Sequence, residues 1–114
     1  MSKTVRVIFD DVCLEKLKYL SILKNTNVNS LILEAIVKLL TCNCDNVEPV
    51  KVDHGVGRNI KMPDELLERL DKFAEDHKMN RSEAVRFAVT LFLKENNIDN
   101  VTVSGAKVVK IKLY

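Results

Sequence analysis

The sequence contains an internal repeat. Shifting the chain along itself by the 53 positions that separate Phe9 from Met62 aligns its two parts without a gap. Apolar residues meet at helical spacing, as Ile36 does with Val89. The identical pairs are Asp11 and Asp64, Leu14 and Leu67, Glu15 and Glu68, Leu17 and Leu70, Asn27 and Asn80, Ala35 and Ala88, and Leu40 and Leu93. Because a repeat dictates the architecture, the sequence predicts two copies of one small unit.

Each copy begins with a predicted strand. Apolar and polar residues alternate there, which is typical of a strand with one buried face. The predicted inward residues are Val5, Val7 and Phe9 in the first copy and Val56, Ile60 and Met62 in the second. Arg58 is a charged exception on the inward face of the second strand.

A helix follows each predicted strand. Asp10 provides a side-chain cap in the first copy, and Pro63 with Asp64 provides a helix start in the second. Both helices are amphipathic, with one apolar stripe and one charged face. The stripes consist of Leu14, Leu17 and Leu20 in the first copy and Leu67, Leu70 and Phe73 in the second.

A turn and a second helix complete each copy. Residues 25–27 and 78–80 break the helical pattern, and Asn80 with Glu83 has the form of a capping box. The second helices are apolar on most sides, so each needs several neighbours to cover it. They are predicted at residues 31–40 and 84–93.

Composition limits the size and class of the fold. The chain has 114 residues, of which 46% are hydrophobic and 30% charged, so it is a globular protein with room for one domain. A unit of about 40 residues buries too little surface to fold alone, and a lone strand lacks a partner. The two copies are therefore expected to pair their strands and to pack their second helices together. This is a mainly α fold with a short β ribbon.

The strand, the amphipathic helix, the capped turn and the apolar second helix resemble the ribbon-helix-helix DNA-binding family, the Arc and methionine-repressor type. Residues 60–67 and 80–84 resemble its characteristic segments. The resemblance implies a tandem ribbon-helix-helix chain, β-α-α twice, that forms an intramolecular pseudo-dimer. It also implies an antiparallel ribbon that enters the DNA major groove, which admits two strands.

The resemblance implies specific DNA contacts on the outward face of the ribbon. Gly57 lies on that face and has no side chain that could contact a base. The two copies therefore differ in their base contacts, and an asymmetric operator is expected. Arg6 and Lys61 suit guanine, Asn59 suits adenine, and Ile8 suits a thymine methyl. The base-contacting residues are Thr4, Arg6, Ile8, Asn59 and Lys61; the phosphate-contacting residues, at the second-helix N-termini and in the second strand, are Asn27, Val28, Asn29, Arg58, Asn80, Arg81 and Ser82.

Structural interpretations of the same residues stay open. The outward strand residues also suit a solvated face, and Asn27 and Asn80 are helix caps in either case. Cys42, Cys44 and His54 have poor zinc spacing, so neither a metal site nor a cofactor is predicted. Cys13 is expected to be a packing residue. No catalytic constellation or phosphate loop is present in the sequence, so an enzyme is not expected and no small-molecule substrate is evident.

The chain divides into residues 1–41 (first copy), 42–55 (linker), 56–96 (second copy) and 97–114 (tail). In the tail, the sequence predicts a short C-terminal β hairpin with strands at 101–103 and 109–114.

The net charge is +2, so DNA binding requires locally concentrated basic residues. The sequence predicts no leader and no membrane span, and its odd number of cysteines favours a reducing, cytoplasmic setting, prokaryotic or viral, near the nucleoid.

The expected function is a sequence-specific, double-stranded DNA-binding transcriptional repressor that recognises an operator. Assembly into a homo-oligomer stays open. One alternative is an antitoxin or protein-interaction module that binds a partner through the tail. Another is an architectural protein that binds DNA without sequence preference and with a steep salt dependence.

Overall fold

The computed structural model describes residues 2–42, 47–52, 54–96, 101–104 and 107–110, the last two ranges as backbone alone. Cys44 and Asp45, at the start of the linker, lie outside the described residues. The elements, in chain order, are β1 (Ser2–Phe9), α1 (Asp11–Leu23), α2 (Val28–Thr41), β2 (Val56–Pro63), α3 (Asp64–Asp76), α4 (Arg81–Glu95), β3 (Val101–Ser104) and β4 (Lys107–Lys110).

The order strand, helix, helix occurs twice, at the start of the chain and again from residue 56 to residue 95. The helices keep the spacing of the sequence repeat, since α1 and α3 begin at Asp11 and Asp64. The turns also correspond: Asn25 and Lys78, which are 53 positions apart, have positive φ angles of 52° and 56°. The backbone of both units therefore reverses through the same left-handed conformation.

Side chains at the helix starts explain where each helix begins. The Asp10 carboxylate accepts a hydrogen bond from the Val12 amide at 3.0 Å. Asn27 and Asn80 cap α2 and α4, and Asn80 forms a complete capping box with Glu83. Pro63 lies one position before α3, at its N-cap, and gives no side-chain cap. These contacts satisfy backbone amides that have no partner within a helix.

Strands β1 and β2 pair antiparallel over eight residues each. The register places Arg6 opposite Asn59, with Thr4 opposite Lys61 on one side. From Val5 onwards, every second side chain of β1 is buried, as the alternation predicts. The buried strand residues are Val5, Val7, Phe9, Ile60 and Met62.

The predicted burial of Val56 was wrong, although Val56 lies on the predicted side of β2. Val56 is 45% exposed although it lies opposite the fully buried Phe9. Lys3, which occupies the corresponding position in the first copy, is exposed too. Each strand is therefore buried at its end, at Phe9 and Met62, where the next helix follows, whereas the inward residue near its start is exposed. The inward side of a strand is buried only where something packs on it. Arg58, one step further in, is half-buried.

The core lies between the ribbon and the two second helices. Helix α2 packs against α4, and the apolar faces of α1 and α3 close the sides. Most of the large, fully buried side chains come from the strands and from the second helices, as expected for helices that are apolar on most sides. The buried residues of the second helices are Val28, Leu31, Ile32, Ala35, Ile36 and Leu39 in α2, and Ala84, Val85, Ala88, Val89, Phe92 and Leu93 in α4, with the polar Glu83.

In the tail, β3 pairs with β4 antiparallel. The sequence placed the second tail strand at residues 109–114, of which 111–114 lie outside the described residues; β4 spans Lys107–Lys110. Within the described ranges, no helix combines the length and the hydropathy that are needed to cross a membrane.

Gly55 makes a close backbone approach that no larger residue fits. A Cβ atom at this position would meet the carbonyl group of Phe9, 2.8 Å from its carbon. We expect Gly55→Ala to lower the free energy of unfolding by about 1–3 kcal/mol, because main chain must shift to make room. Urea denaturation measures the change.

Gly57→Ala is the matched control for this substitution. A Cβ atom at Gly57 meets only the end of the Arg6 side chain, which can move. We expect that variant to change the free energy of unfolding by less than about 0.5 kcal/mol. Equal losses in the two variants would contradict the close approach at Gly55.

Candidate nucleic-acid interface

The outward side of the ribbon presents three cross-strand pairs. We call the six residues of these pairs the ribbon face: Thr4 and Lys61, Arg6 and Asn59, Ile8 and Gly57. All are exposed except Gly57, which is half-buried, and Ile8 has 45% of its surface exposed. The predicted base-contacting residues therefore lie together on one side of one ribbon, as the alternation of apolar and polar residues predicts.

The ribbon face is basic. It carries Arg6 and Lys61 and no carboxylate. Among the described residues, neither of these cations nor Arg58 takes part in an ion pair. Positive charge that is not neutralised by the protein is available to a negatively charged ligand.

Arg6 does not stand straight out from the ribbon. Its guanidinium lies over Gly57, where Cζ, Nε and Nη2 occupy the space that a Cβ atom would take. Gly57 is the diagonal neighbour of Arg6 across the ribbon, two positions from the directly paired Asn59. The Arg6 side chain therefore leans towards the end of the ribbon that holds Ile8 and Gly57.

The N-terminus of α2 is built from three residues with different tasks. Asn27 accepts a hydrogen bond from the Ser30 amide at 2.8 Å. Val28 is only 6% exposed, so its side chain belongs to the core and cannot contact a phosphate. The predicted phosphate contact of Val28 can therefore be made by its backbone amide alone.

The Asn29 side chain is held by the neighbouring strand. Its Oδ1 accepts a hydrogen bond from the Lys61 amide at 3.0 Å, and its Nδ2 donates to the Lys61 carbonyl at 3.3 Å. The side chain thus pairs with the outer edge of β2 as another strand would. The side-chain amide of Asn29 therefore holds β2 on α2. The phosphate contact predicted for Asn29 stays a prediction, and it falls to the first-turn backbone amide.

The N-terminus of α4 is similarly engaged. Asn80 Oδ1 accepts from the Glu83 amide at 2.8 Å, and Glu83 Oε1 accepts from the Asn80 amide at 2.9 Å. Arg81 makes a two-pronged contact with Asp71, with Nε–Oδ1 and Nη2–Oδ2 distances of 2.8 Å. The hydrogen bond from the guanidinium to Asp71 raises the pKa of Arg81.

The Arg81–Asp71 pair changes the electrostatic setting of one predicted phosphate-contacting residue. Arg81 lies at the N-terminus of α4, and Asp71 lies on α3. The structure joins the two side chains. Both are about half-exposed, so the pair contributes little to stability, and Arg81 reaches a phosphate only in competition with its own carboxylate.

Arg86 is a residue that the sequence reasoning missed. Its Nε donates to the Val50 carbonyl at 2.6 Å, and its Nη1 donates to the Ile8 carbonyl at 3.0 Å. It thereby ties α4 to the linker and to the outer edge of β1. A signal was present, since Arg86 interrupts an apolar helix where the repeat has Leu33.

Different types of side chain therefore hold the two edges of the ribbon in place. Asn29 holds β2 at Lys61, whereas the corresponding residue of the second copy is Ser82. Within the described part of the chain, Ser82 makes no side-chain hydrogen bond. Arg86 holds β1 at Ile8 instead.

Cys13 and Cys42 lie within the described residues, and Cys44 lies outside them. Cys13 packs against the core, and burial raises its pKa to about 11, which keeps the thiol protonated near neutral pH. The described residues contain no group of three His, Cys, Asp or Glu side chains that could hold a metal ion.

We expect Asn29→Ala to lower the free energy of unfolding by about 1–2 kcal/mol, because it removes both hydrogen bonds to Lys61. Ser82→Ala is the matched control at the corresponding position of the second copy and should change it by less than about 0.5 kcal/mol. Denaturant titration compares the two variants, and a loss for Asn29→Ala no larger than that for Ser82→Ala would contradict a stabilising role of the Asn29 contact.

Comparison with known proteins gives one match. Residues 59–96 match the model of a family described as ribbon-helix-helix protein, copG family. The comparisons with curated proteins and with solved structures each gave no significant match. The matched residues comprise the second half of β2 with α3 and α4. By this match, the strand, helix and helix of the second copy are similar to a ribbon-helix-helix protein.

Proposed function

We propose that this protein is a sequence-specific, double-stranded DNA-binding transcription regulator, a repressor, which inserts the β1–β2 ribbon into the major groove. One observation carries the proposal: the ribbon face is an exposed, acid-free surface on a two-stranded ribbon, and β2 belongs to the segment that matches the family. Ribbon-helix-helix proteins are usually DNA-binding transcription regulators and are not enzymes.

The dimensions of the ribbon suit the groove. Adjacent strands lie about 4.8 Å apart, and the major groove of B-DNA is about 12 Å wide, so two strands with their side chains fit. A pair of strands laid along the groove directs alternate side chains at the base edges, and the register makes those side chains Thr4, Arg6, Ile8, Asn59 and Lys61.

The side-chain chemistry assigns a role to each of these residues. Arg6 and Lys61 donate to the acceptors N7 and O6 of guanine, and Asn59 both donates to and accepts from adenine. Thr4 supplies a hydroxyl, and Ile8 packs on a thymine methyl. Because contacts to base edges distinguish one sequence directly from another, these five residues are the ones that select the operator.

Phosphate contacts come from the N-termini of α2 and α4 and from Arg58. The first-turn amides at Val28 and Asn29 carry partial positive charge beside one strand of DNA. On the other side, Arg81 and Ser82 add a guanidinium, shared with Asp71, and a hydroxyl. Asn27 and Asn80 shape these helix ends as caps. The two ends are unequal, so we propose an asymmetric operator.

The organisation of the chain follows from this function. We propose two ribbon-helix-helix copies at residues 1–41 and 56–96, joined by a linker at 42–55 and followed by a tail at 97–114. The pairing of β1 with β2 within one chain supports this arrangement. A covalently linked pair of copies does not need to be symmetric, so each half of the ribbon face is able to read different bases.

Selection of bound sequences from a random pool of duplex DNA tests the function. We expect the wild type to enrich one motif and Arg6→Ala and Asn59→Ala each to lose the preference at one base pair, because a good bidentate contact carries about 1–3 kcal/mol of discrimination. Arg69→Ala, which removes an exposed cation on α3 that pairs with Glu65, is the matched control and should leave the motif unchanged.

Two outcomes would overturn the proposal. A wild type that binds all duplexes equally, with a steep salt dependence, would be an architectural DNA-binding protein. A wild type that binds no duplex while a protein partner depends on residues 97–114 would be an interaction module of the antitoxin type.

Arg58 should behave as a phosphate ligand. We expect Arg58→Ala to weaken binding to operator and to unrelated duplexes by the same factor, and to lower the slope of log affinity against log salt concentration by about 0.9, because one phosphate contact is lost. Fluorescence anisotropy over a salt series measures both effects. A change in the enriched motif would instead make Arg58 a base reader.

A further inference from the structure

The two halves of the ribbon face are not equivalent in sequence. Applying the 53-residue shift exchanges the pair Thr4–Lys61 with the pair Ile8–Gly57 and returns the pair Arg6–Asn59 to itself. One half therefore has a cation and a hydroxyl. The other half has an apolar side chain and a glycine, neither of which can form a side-chain hydrogen bond with a base edge.

The conformation of Arg6 compensates for this difference. Arg6 belongs to the central pair, but its guanidinium lies over Gly57 in the half that has no polar residue of its own. The Cα atoms of Gly57 and Asn59 are two residues apart along the strand, a displacement of about 6.6 Å. Successive base pairs are about 3.4 Å apart, so this displacement corresponds to about two base pairs.

We propose that Gly57 is a specificity-determining residue that acts by positioning Arg6. Because Gly57 has no Cβ, the guanidinium lies across the ribbon and serves the base pair that faces Ile8 and Gly57. Lys61 serves the opposite half, and Asn59 serves the centre. This inference rests on the proposed function and adds to it the residue that decides which base pair Arg6 reads.

The contact also explains why a glycine is accepted within this strand. Glycine weakens a strand because it loses more backbone entropy on folding than other residues and has no side chain to pack. A glycine within a strand therefore often marks a close approach by another group. Here the approaching group is the end of a flexible side chain and not main chain. An alanine at position 57 therefore leaves the fold intact and moves Arg6 alone.

A cycle of four proteins tests the inference: wild type, Gly57→Ala, Arg6→Ala and the double variant, each used to select sequences from the random duplex pool. In wild type we expect discrimination of about 5- to 150-fold at the base pair that depends on Arg6. Gly57→Ala should reduce it to about twofold or move it to another base pair. In the Arg6→Ala background, Gly57→Ala should change the motif nowhere.

Nuclear magnetic resonance on the full chain gives an independent readout. In the wild type we expect a nuclear Overhauser effect between the Gly57 Hα protons and the Arg6 side chain, since the guanidinium occupies the space beside them. Gly57→Ala should shift the Arg6 Nε–H resonance, while thermal unfolding shows the variant to be folded. Absence of this contact in the wild type would overturn the inference.

The outcomes separate the two proposals. If Arg6→Ala loses a base preference that Gly57→Ala retains at the same base pair and with the same strength, Gly57 does not position Arg6 and the proposed function stands. If the wild type shows no base preference at all, the proposed function and this inference fail together. An effect of Gly57→Ala that persists without Arg6 would also overturn the inference, because it would act through another group.

Discussion

The burial of α2 against α4 is the interaction on which the rest of the structure depends. Both helices bury apolar residues along most of their length, and of all the helix pairs these two pack most extensively against each other. When the two copies come together, each second helix covers the other, and the strands are brought side by side as a consequence. Hydrophobic burial thus determines where a polar surface, the ribbon face, is formed.

Among the strands that the structure describes, none covers the two outer edges of the ribbon. An unpaired strand edge is normally a liability, because its amides and carbonyls invite another chain. Here Asn29 satisfies both backbone groups of Lys61, and Arg86 satisfies the carbonyl of Ile8. These side chains fix the position of the ribbon relative to the helix ends, which is a requirement for any surface that must contact bases and phosphates together.

A net charge of +2 conceals an uneven distribution. The ribbon face is basic without an acidic residue, whereas the first helices carry acidic residues, some of them beside basic partners, as Glu15 is with Lys18 and Glu65 with Arg69. The distribution is less simple at the start of α4, where Arg81 is paired with Asp71. Asp71 partly neutralises the positive charge of Arg81 at the start of α4, whereas Val28 and Asn29 at the start of α2 are uncharged. The two sides of the molecule therefore differ electrostatically.

The sequence by itself determined the repeat, the two helix pairs, the capping residues and the face on which Thr4, Arg6, Asn59 and Lys61 lie. These follow from local periodicity and local hydrogen bonding, which are properties of residues close together in the chain. Only the tertiary structure decided what each exposed side chain contacts. The hydrogen bonds of Asn29 and Arg86, the Arg81–Asp71 pair, the exposure of Val56 and the position of Arg6 over Gly57 all depend on which elements are neighbours in space. A hydrophobic period of 2 residues in a strand, or 3.6 in a helix, specifies the side on which a residue lies. It contains no information about the group that the residue contacts there.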